Sequence, residues 1–464
     1  MQKSVSPVLP NVQSNYLSKF ITQYSDRTKT SKQLAQIHRA TLADNRVSAG
    51  FSLALKEICY PIVAKKSLGC KIWDADGNEY IDVVMGFGIN LFGHNPPFIK
   101  AALSEQLDRG IHLGVQTELA GEVAQLVTEM TGMERVAFSN TGTEAIMTAI
   151  RIARATTNRN KIAIFSGSYH GHFDGTLVET REINGNLTTV PIDSGTPQKF
   201  AEDVLVLDYG NWRSLDTIKA HKNELAAILV EPVQSSRIDF QPREFLHQLR
   251  QLTTQLDIAL IFDEMVSGFR IHPGGAQAWF NIAADIATYG KIIGGGMPIG
   301  VIAGKAKYMD KIDGGMWNYG DASYPQIKQS FFAGTHCKHP LSLAAAKVVL
   351  QYLKAQGATL QTQLNQRTTE FIQTLNTYFK SGKIPIRMIN FGSLFGAGNS
   401  TSSNNSSDSS SLGLSLLSYH LTHQGVLSRG GSGFLSTAHT DEDITCIVLA
   451  VQDSINNLRL GGLL

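Results

Sequence analysis

ALIFDEMVSGFR at residues 259–270, with YGKIIGGGMPIG following at 289–300, is the stretch on which the fold turns. Four apolar residues closed by a carboxylate read as a short strand buried on both faces, with Asp263 at its carboxyl end. Comparable runs stand at 135–138 (RVAF), 161–165 (KIAIF) and 226–230 (AAILV), separated by segments of helical periodicity. This alternation predicts an α/β domain around a mainly parallel sheet between about residues 100 and 345. Ligands in such sheets bind beyond the carboxyl ends of the strands, so the polar motifs placed there become the candidate site.

Lys291 follows Asp263 by 28 residues, in front of a glycine run. A carboxylate at a strand end holds a pyridine nitrogen protonated, and a lysine reaching the same cleft forms a Schiff base with an aldehyde. The pair meets the chemical needs of pyridoxal 5'-phosphate. The plain alternative is a surface lysine ahead of a glycine-rich loop, with Asp263-Glu264 ending a strand. GGGMPIG does not fit the G-x-G-x-x-G dinucleotide pattern. Thr141-Gly142-Thr143, between a strand and the helical run 145–155, would gather hydroxyls and free N–H groups at a helix N-terminus, suited to a phosphate. An ordinary capped turn explains the same residues. Ser168-Tyr169-His170-Gly171-His172 adds an aromatic face and two imidazoles; metal binding by His170 and His172 is the alternative, with no nearby Cys or carboxylate cluster to complete it.

The rest of the chain narrows the class. Of 464 residues, 41 are basic and 39 acidic, a balance that argues against nucleic-acid or membrane-surface binding. Cys59, Cys70, Cys337 and Cys446 are too scattered for a zinc or disulfide framework, which fits a cytoplasmic location, and no apolar run is long enough to span a bilayer. Residues 1 to about 13 read as a linker, and 15–42 as one or two amphipathic helices broken near Ser25-Asp26. Residues 70–82 carry an Asp-Gly hairpin signal. The serine-rich 398–411 reads as a loop. The expected division is 1–60 as linker and helical segment, 61–99 as a hairpin belonging to the small domain, 100–345 as the large domain, and 346–464 as a smaller C-terminal α+β domain.

Taken in order, SNTGTEA (139–145), SYHGHFDG (168–175), LVEPVQ (229–234), IFDEMVSGFR (261–270), YGKIIGGGMPIG (289–300) and FFAGTH (331–336) resemble the class III aminotransferases, especially the glutamate-1-semialdehyde aminomutase branch. The resemblance implies a fold-type I pyridoxal-phosphate transferase, working as a homodimer. It implies Lys291 as the Schiff-base lysine, Asp263 as partner of the pyridine nitrogen, and Thr141, Gly142 and Thr143 as the phosphate cup. Tyr169 would stack on the ring, with His170 at its edge and Met265 against the other face. Thr335 would reach the phosphate of the neighbouring subunit, and Glu231 would shape the substrate pocket. A narrower resemblance, carried by 14–46, 85–103, 231–250, 274–300 and 435–444, is to aminotransferase domains of polyketide/nonribosomal peptide synthetases of the microcystin and iturin/mycosubtilin type. It implies transfer of an amino group from a donor such as glutamate to a β-ketoacyl chain on an acyl carrier protein, among neighbouring synthetase domains. His336, in place of an aromatic residue, and the serine-rich segment depart from that type. The alternatives are glutamate-1-semialdehyde aminomutase itself and a non-catalytic carrier-docking module.

Overall fold

The protein is described here by a computed structural model that covers residues 10–45, 51–398 and 408–464. Two compact units result, one of residues 97–366 and one that joins 1–96 to 367–464.

The first unit is built on a seven-stranded sheet. In chain order its strands are β1 (Arg135–Ser139), β2 (Lys161–Phe165), β3 (Val204–Leu207), β4 (Leu225–Val230), β5 (Ala259–Asp263), β6 (Ile286–Tyr289) and β7 (Gly300–Gly304). Their spatial order is β1-β7-β6-β5-β4-β2-β3. β7 runs antiparallel to both its neighbours, and the pairs β6-β5, β5-β4, β4-β2 and β2-β3 are parallel. Every residue of β4 and β5 is buried, the signature of strands covered on both faces. Helix Gly142–Thr157 covers one face with Ala145, Ile146, Ala149, Ile150 and Ala153, which recur at three- and four-residue spacing and join the core around Ile164, Leu229 and Ile261. Helix Pro340–Gln356 buries Leu343, Ala345, Val349 and Leu353, and packs on helices Pro97–Arg109 and Leu119–Thr131. This packing places the helix in the first unit, whose limit falls at residue 366 rather than at the expected 345.

The second unit contains the expected hairpin: Lys71–Asp74 pairs antiparallel with Glu79–Asp82, and Asp74 Oδ1 accepts the N–H groups of Asp76 and Asn78 to hold the turn. The N-terminal segment differs from expectation. Residues 1–9 lie outside the described residues, and a helix runs from Asn11 to Arg27, so 11–13 are not linker. A second helix, Lys29–His38, follows a break at Thr28. Leu17, Phe20 and Tyr24 bury one stripe of the first helix against Leu55, Ile58, Leu416 and Leu458. Within the serine-rich stretch, 399–407 lie outside the described residues, but a helix begins at Asp408, where a loop was expected. No helix among the described residues is long and apolar enough to cross a membrane.

His420 anchors the N-terminal helix. Its ring stacks 3.9 Å from that of Phe20, and its Nε2 pairs with Tyr16 Oη at 2.9 Å. Burial, reinforced by neighbouring His423, pushes the imidazole from 6.5 down to about 4. The folded state therefore binds this proton less readily than the unfolded chain. The stabilisation is complete above about 6.5 and is lost as pH falls toward 4, amounting to about 3 kcal/mol. His420→Phe keeps the stacking and removes the titration. Urea midpoints compared at neutral pH and near pH 4 are expected to shift in the variant's favour by about that amount; an unchanged gap would contradict the assignment.

Candidate active site

Five loops converge at the carboxyl ends of β1, β2, β4, β5 and β6. Beyond β1, Thr141 caps helix Gly142–Thr157 by accepting the Glu144 N–H at 3.2 Å, while Glu144 Oε2 accepts the Asn140 N–H at 2.7 Å. Both bonds fix the helix start and leave the first-turn N–H groups of Gly142 and Thr143 pointing off its end, where an anion is favoured. Thr143 Oγ1 accepts the N–H of His172, which ties this turn to the loop beyond β2. A Cβ on Gly142 would stand 2.8 Å from the Met265 sulfur, and one on Gly290 would stand equally close to the same atom. Met265 thus fills the space between the helix start and the approach to Lys291. Gly142→Ala is expected to displace it and weaken pyridoxal-phosphate binding about tenfold, or about 1.4 kcal/mol. Titration of the apoenzyme by absorbance measures this, and unchanged affinity would remove Gly142 from the cup.

Beyond β5, Asp263 is buried and doubly engaged. Its Oδ2 pairs with His170 Nδ1 at 2.8 Å, and its Oδ1 accepts the Met265 N–H at 3.1 Å. His170 is itself buried, and its Nε2 has no hydrogen-bond partner among the described residues. Glu231, beyond β4, accepts the N–H groups of Tyr169 at 3.0 Å and Ser235 at 3.3 Å. Burial raises its carboxyl above the usual range, with Asp263 adding to the rise and His170 opposing it. The side chain of Tyr169 is 65% exposed, leaving a ring face open.

Lys291 starts the turn beyond β6. Gly290 before it is extended, and Lys291 takes φ +47°, a left-handed conformation that costs a non-glycine residue about 1 kcal/mol. Burial lowers its ammonium below the ordinary lysine value, against the pull of Asp263 and Glu231 and with a contribution from Arg270. Thr335 stands exposed on an irregular segment. A Cβ on its neighbour Gly334 would lie 3.3 Å from Asn140 Nδ2, so this segment adjoins the helix start. His172 is exposed, and among the described residues no group of three His, Cys, Asp or Glu side chains is placed to hold a metal ion.

Sequence reasoning missed Gln234, the last residue of the LVEPVQ motif. It is buried, donates from Nε2 to Ser166 O and Ser168 Oγ at 2.8 Å each, and keeps an unpartnered Oε1 among the described residues. Its signal was a polar side chain beyond an all-apolar strand. The whole donor set fits pyridoxal phosphate: an amine for the aldehyde, a buried carboxylate for the ring nitrogen, helix-start N–H groups for the phosphate, and unpartnered polar atoms at His170 and Gln234 for the ring's periphery.

A mainly parallel sheet with this lysine and this carboxylate beyond adjacent strands defines a fold-type I pyridoxal-phosphate transferase. The chain belongs to the class-III aminotransferases, whose family description matches residues 54–432. It is similar to glutamate-1-semialdehyde 2,1-aminomutase of Alkaliphilus oremlandii, at 37% identity over 417 residues, covering 86% of this chain and 92% of that enzyme. Among solved structures it resembles an omega-transaminase from Sphaerobacter thermophilus, with TM-score 0.82, 28% identity and coverage of 92% and 98% of the two chains. It also resembles a transaminase with pyridoxal phosphate bound, at TM-score 0.81 and 26% identity, covering 94% and 98%.

These findings overturn the assembly-line expectation. Curated relatives at 32–38% identity bear the aminomutase name, and transfer to a β-ketoacyl chain on a carrier protein, with synthetase domains as neighbours, has no support. The motifs behind that expectation include loops around the cofactor, where the same chemistry demands similar residues whatever the substrate.

Proposed function

We propose that the protein is a glutamate-1-semialdehyde 2,1-aminomutase, exchanging amino and oxo groups between adjacent carbons of one small molecule. The observation that carries this reading is similarity to a curated aminomutase along 92% of that enzyme's length. Bound pyridoxal phosphate, or its amino form, supplies an electron sink and a place to hold the amine. Lys291 is the base: its lowered proton affinity lets the free amine take a proton from the substrate carbon and return it to the neighbouring position. Asp263, held by His170 and the Met265 N–H, is the carboxylate that would pair with the ring nitrogen. Thr141, Gly142 and Thr143 would hold the phosphate, Tyr169 and Met265 would lie against the ring, and Glu231, which holds the Tyr169 N–H, would shape the substrate pocket.

The same reading includes a homodimer in which Thr335 reaches the partner's phosphate. Support comes from the segment just before it, where Met316, Tyr319, Tyr324 and Phe331 are all strongly exposed apolar or aromatic side chains. The decisive assay supplies glutamate 1-semialdehyde to reconstituted enzyme with no other amine. Formation of 5-aminolevulinate, with the amine on the former aldehyde carbon, is expected. A requirement for an added amino donor would instead make the protein an intermolecular transaminase.

A further inference from the structure

Gln277 lies in helix Gly275–Phe280 and is buried, 6% exposed. Its polar groups reach three separate points on the strands that carry the site. The backbone N–H donates to Glu264 Oε1 at 3.0 Å, Nε2 donates to Tyr289 Oη at 2.9 Å, and Oε1 accepts the Ala284 N–H at 2.9 Å. A backbone N–H can only donate, so the Ala284 bond decides which end of the amide is the oxygen and leaves Nε2 for Tyr289. Glu264 directly follows Asp263 at the end of β5, Ala284 lies two residues before β6, and Tyr289 is the last residue of β6. One side chain therefore holds both ends of the strand that delivers Lys291, while its own backbone is tied to the residue beside Asp263.

Tyr289 is wholly buried, and its ring is seated in the loop that leaves β5: the Phe269 ring lies 5.2 Å away, and a Cβ on Gly268 would stand 2.7 Å from it. β5 and β6 are parallel neighbours, with Asp263 opposite Thr288 and the Glu264 N–H donating to Thr288 O at 3.0 Å. Past Tyr289 the chain turns at once, through extended Gly290 into Lys291 at φ +47°. A lysine in this conformation persists only where its surroundings fix the chain that enters the turn. Gly290 has no side chain, so the last grip before Lys291 is the one on Tyr289. Its hydroxyl is held by Gln277.

We propose that Gln277 is a positioning residue: by holding the Tyr289 hydroxyl it fixes the turn from which Lys291 reaches the cofactor, in step with Asp263 on the neighbouring strand. The inference rests on the role assigned to Lys291 in the proposed function, but not on the identity of the substrate. Gln277→Met keeps the side chain's length, removes both of its bonds and leaves the backbone bond to Glu264. Tyr289→Phe keeps the ring and removes the shared bond from the other side. Full-length apoenzyme is mixed with pyridoxal phosphate, the rate of Schiff-base formation is followed by stopped-flow absorbance, and borohydride trapping identifies the lysine. Each variant is expected to react about tenfold more slowly, because a small displacement of a reacting group is costly in rate. The double variant should match Gln277→Met, since the two changes remove one and the same bond. An unchanged rate in a folded Q277M overturns the proposal. So does a slowed Q277M beside a Y289F at the wild-type rate, or losses that multiply to about a hundredfold in the double variant, because the effect would then not run through this bond. A merely structural glutamine would lower the melting temperature and leave the rate of Schiff-base formation unmoved. Should Q277M fail to fold, Y289F decides by itself: a slowed rate supports the proposal and an unchanged one overturns it. If borohydride fixes the wild-type cofactor to a lysine other than Lys291, the role of Lys291 itself fails, an outcome separate from the comparison between variants.

Discussion

Lys291→Ala is expected to abolish amino exchange, lowering kcat by about 10⁴ or more, since it removes both the covalent anchor for the cofactor and the proton-transfer group. No neighbour replaces it. His170, the imidazole beside Asp263, is engaged with that carboxylate. Borohydride reduction followed by mass spectrometry should find the cofactor joined to the wild-type Lys291 peptide and to no peptide of the variant. A folded, cofactor-supplied K291A with near-normal turnover would refute the assignment. The wild-type rate should also depend on pH through this residue. Burial lowers the proton affinity of Lys291, so the amine is protonated and unable to act as base below its depressed value. Activity should rise with pH through a point lower than that of a free lysine.

Asp263→Asn is expected to produce the second large loss, about 10²–10⁴ in kcat, the equivalent of the roughly 3–5 kcal/mol lost when one partner of a buried charge pair is removed. The amide preserves volume and can still accept the Met265 N–H, so the fold should survive. What it lacks is a negative charge to keep the ring nitrogen protonated. Steady-state kinetics should show the loss mainly in kcat, with KM changing less, because the interaction serves the reacting state more than binding. A variant that lost only cofactor affinity, with full kcat at saturating pyridoxal phosphate, would reduce Asp263 to a binding role.

Parts of the site were legible because they are local. Thr141-Gly142-Thr143 is a cap between a strand and a helix, and both flanks carry their own periodicity. Asp263 ends a run of apolar residues whose burial needs no tertiary knowledge to foresee, and Lys291 opens a glycine-rich turn. The assembly-line substrate was misread for the opposite reason. Substrate choice lies in pocket shape and in a few side chains, whereas two of the motifs that prompted the reading, 231–250 and 274–300, carry candidate cofactor-site residues.

Other features depend on residues far apart in the chain. His170 meets Asp263 across 93 positions, and Tyr169 gives its N–H to Glu231 across 62. The loop after β5 is held across about 90 positions, Gln361 Nε2 donating to Phe269 O and Asn365 Nδ2 to Ile271 O, and it buries Arg270. Tyr16 and His420 are separated by 404 positions, yet their pairing and the Phe20 stack secure a helix whose first turn had looked like linker. By itself the sequence determined the sheet and the cofactor, because strand periodicity, caps and reactive groups are written in short windows. Which buried groups face one another, and therefore how readily Lys291 gives up its proton, was decided only by tertiary structure: charge interactions depend on distance and burial, and neither is a local property of the chain.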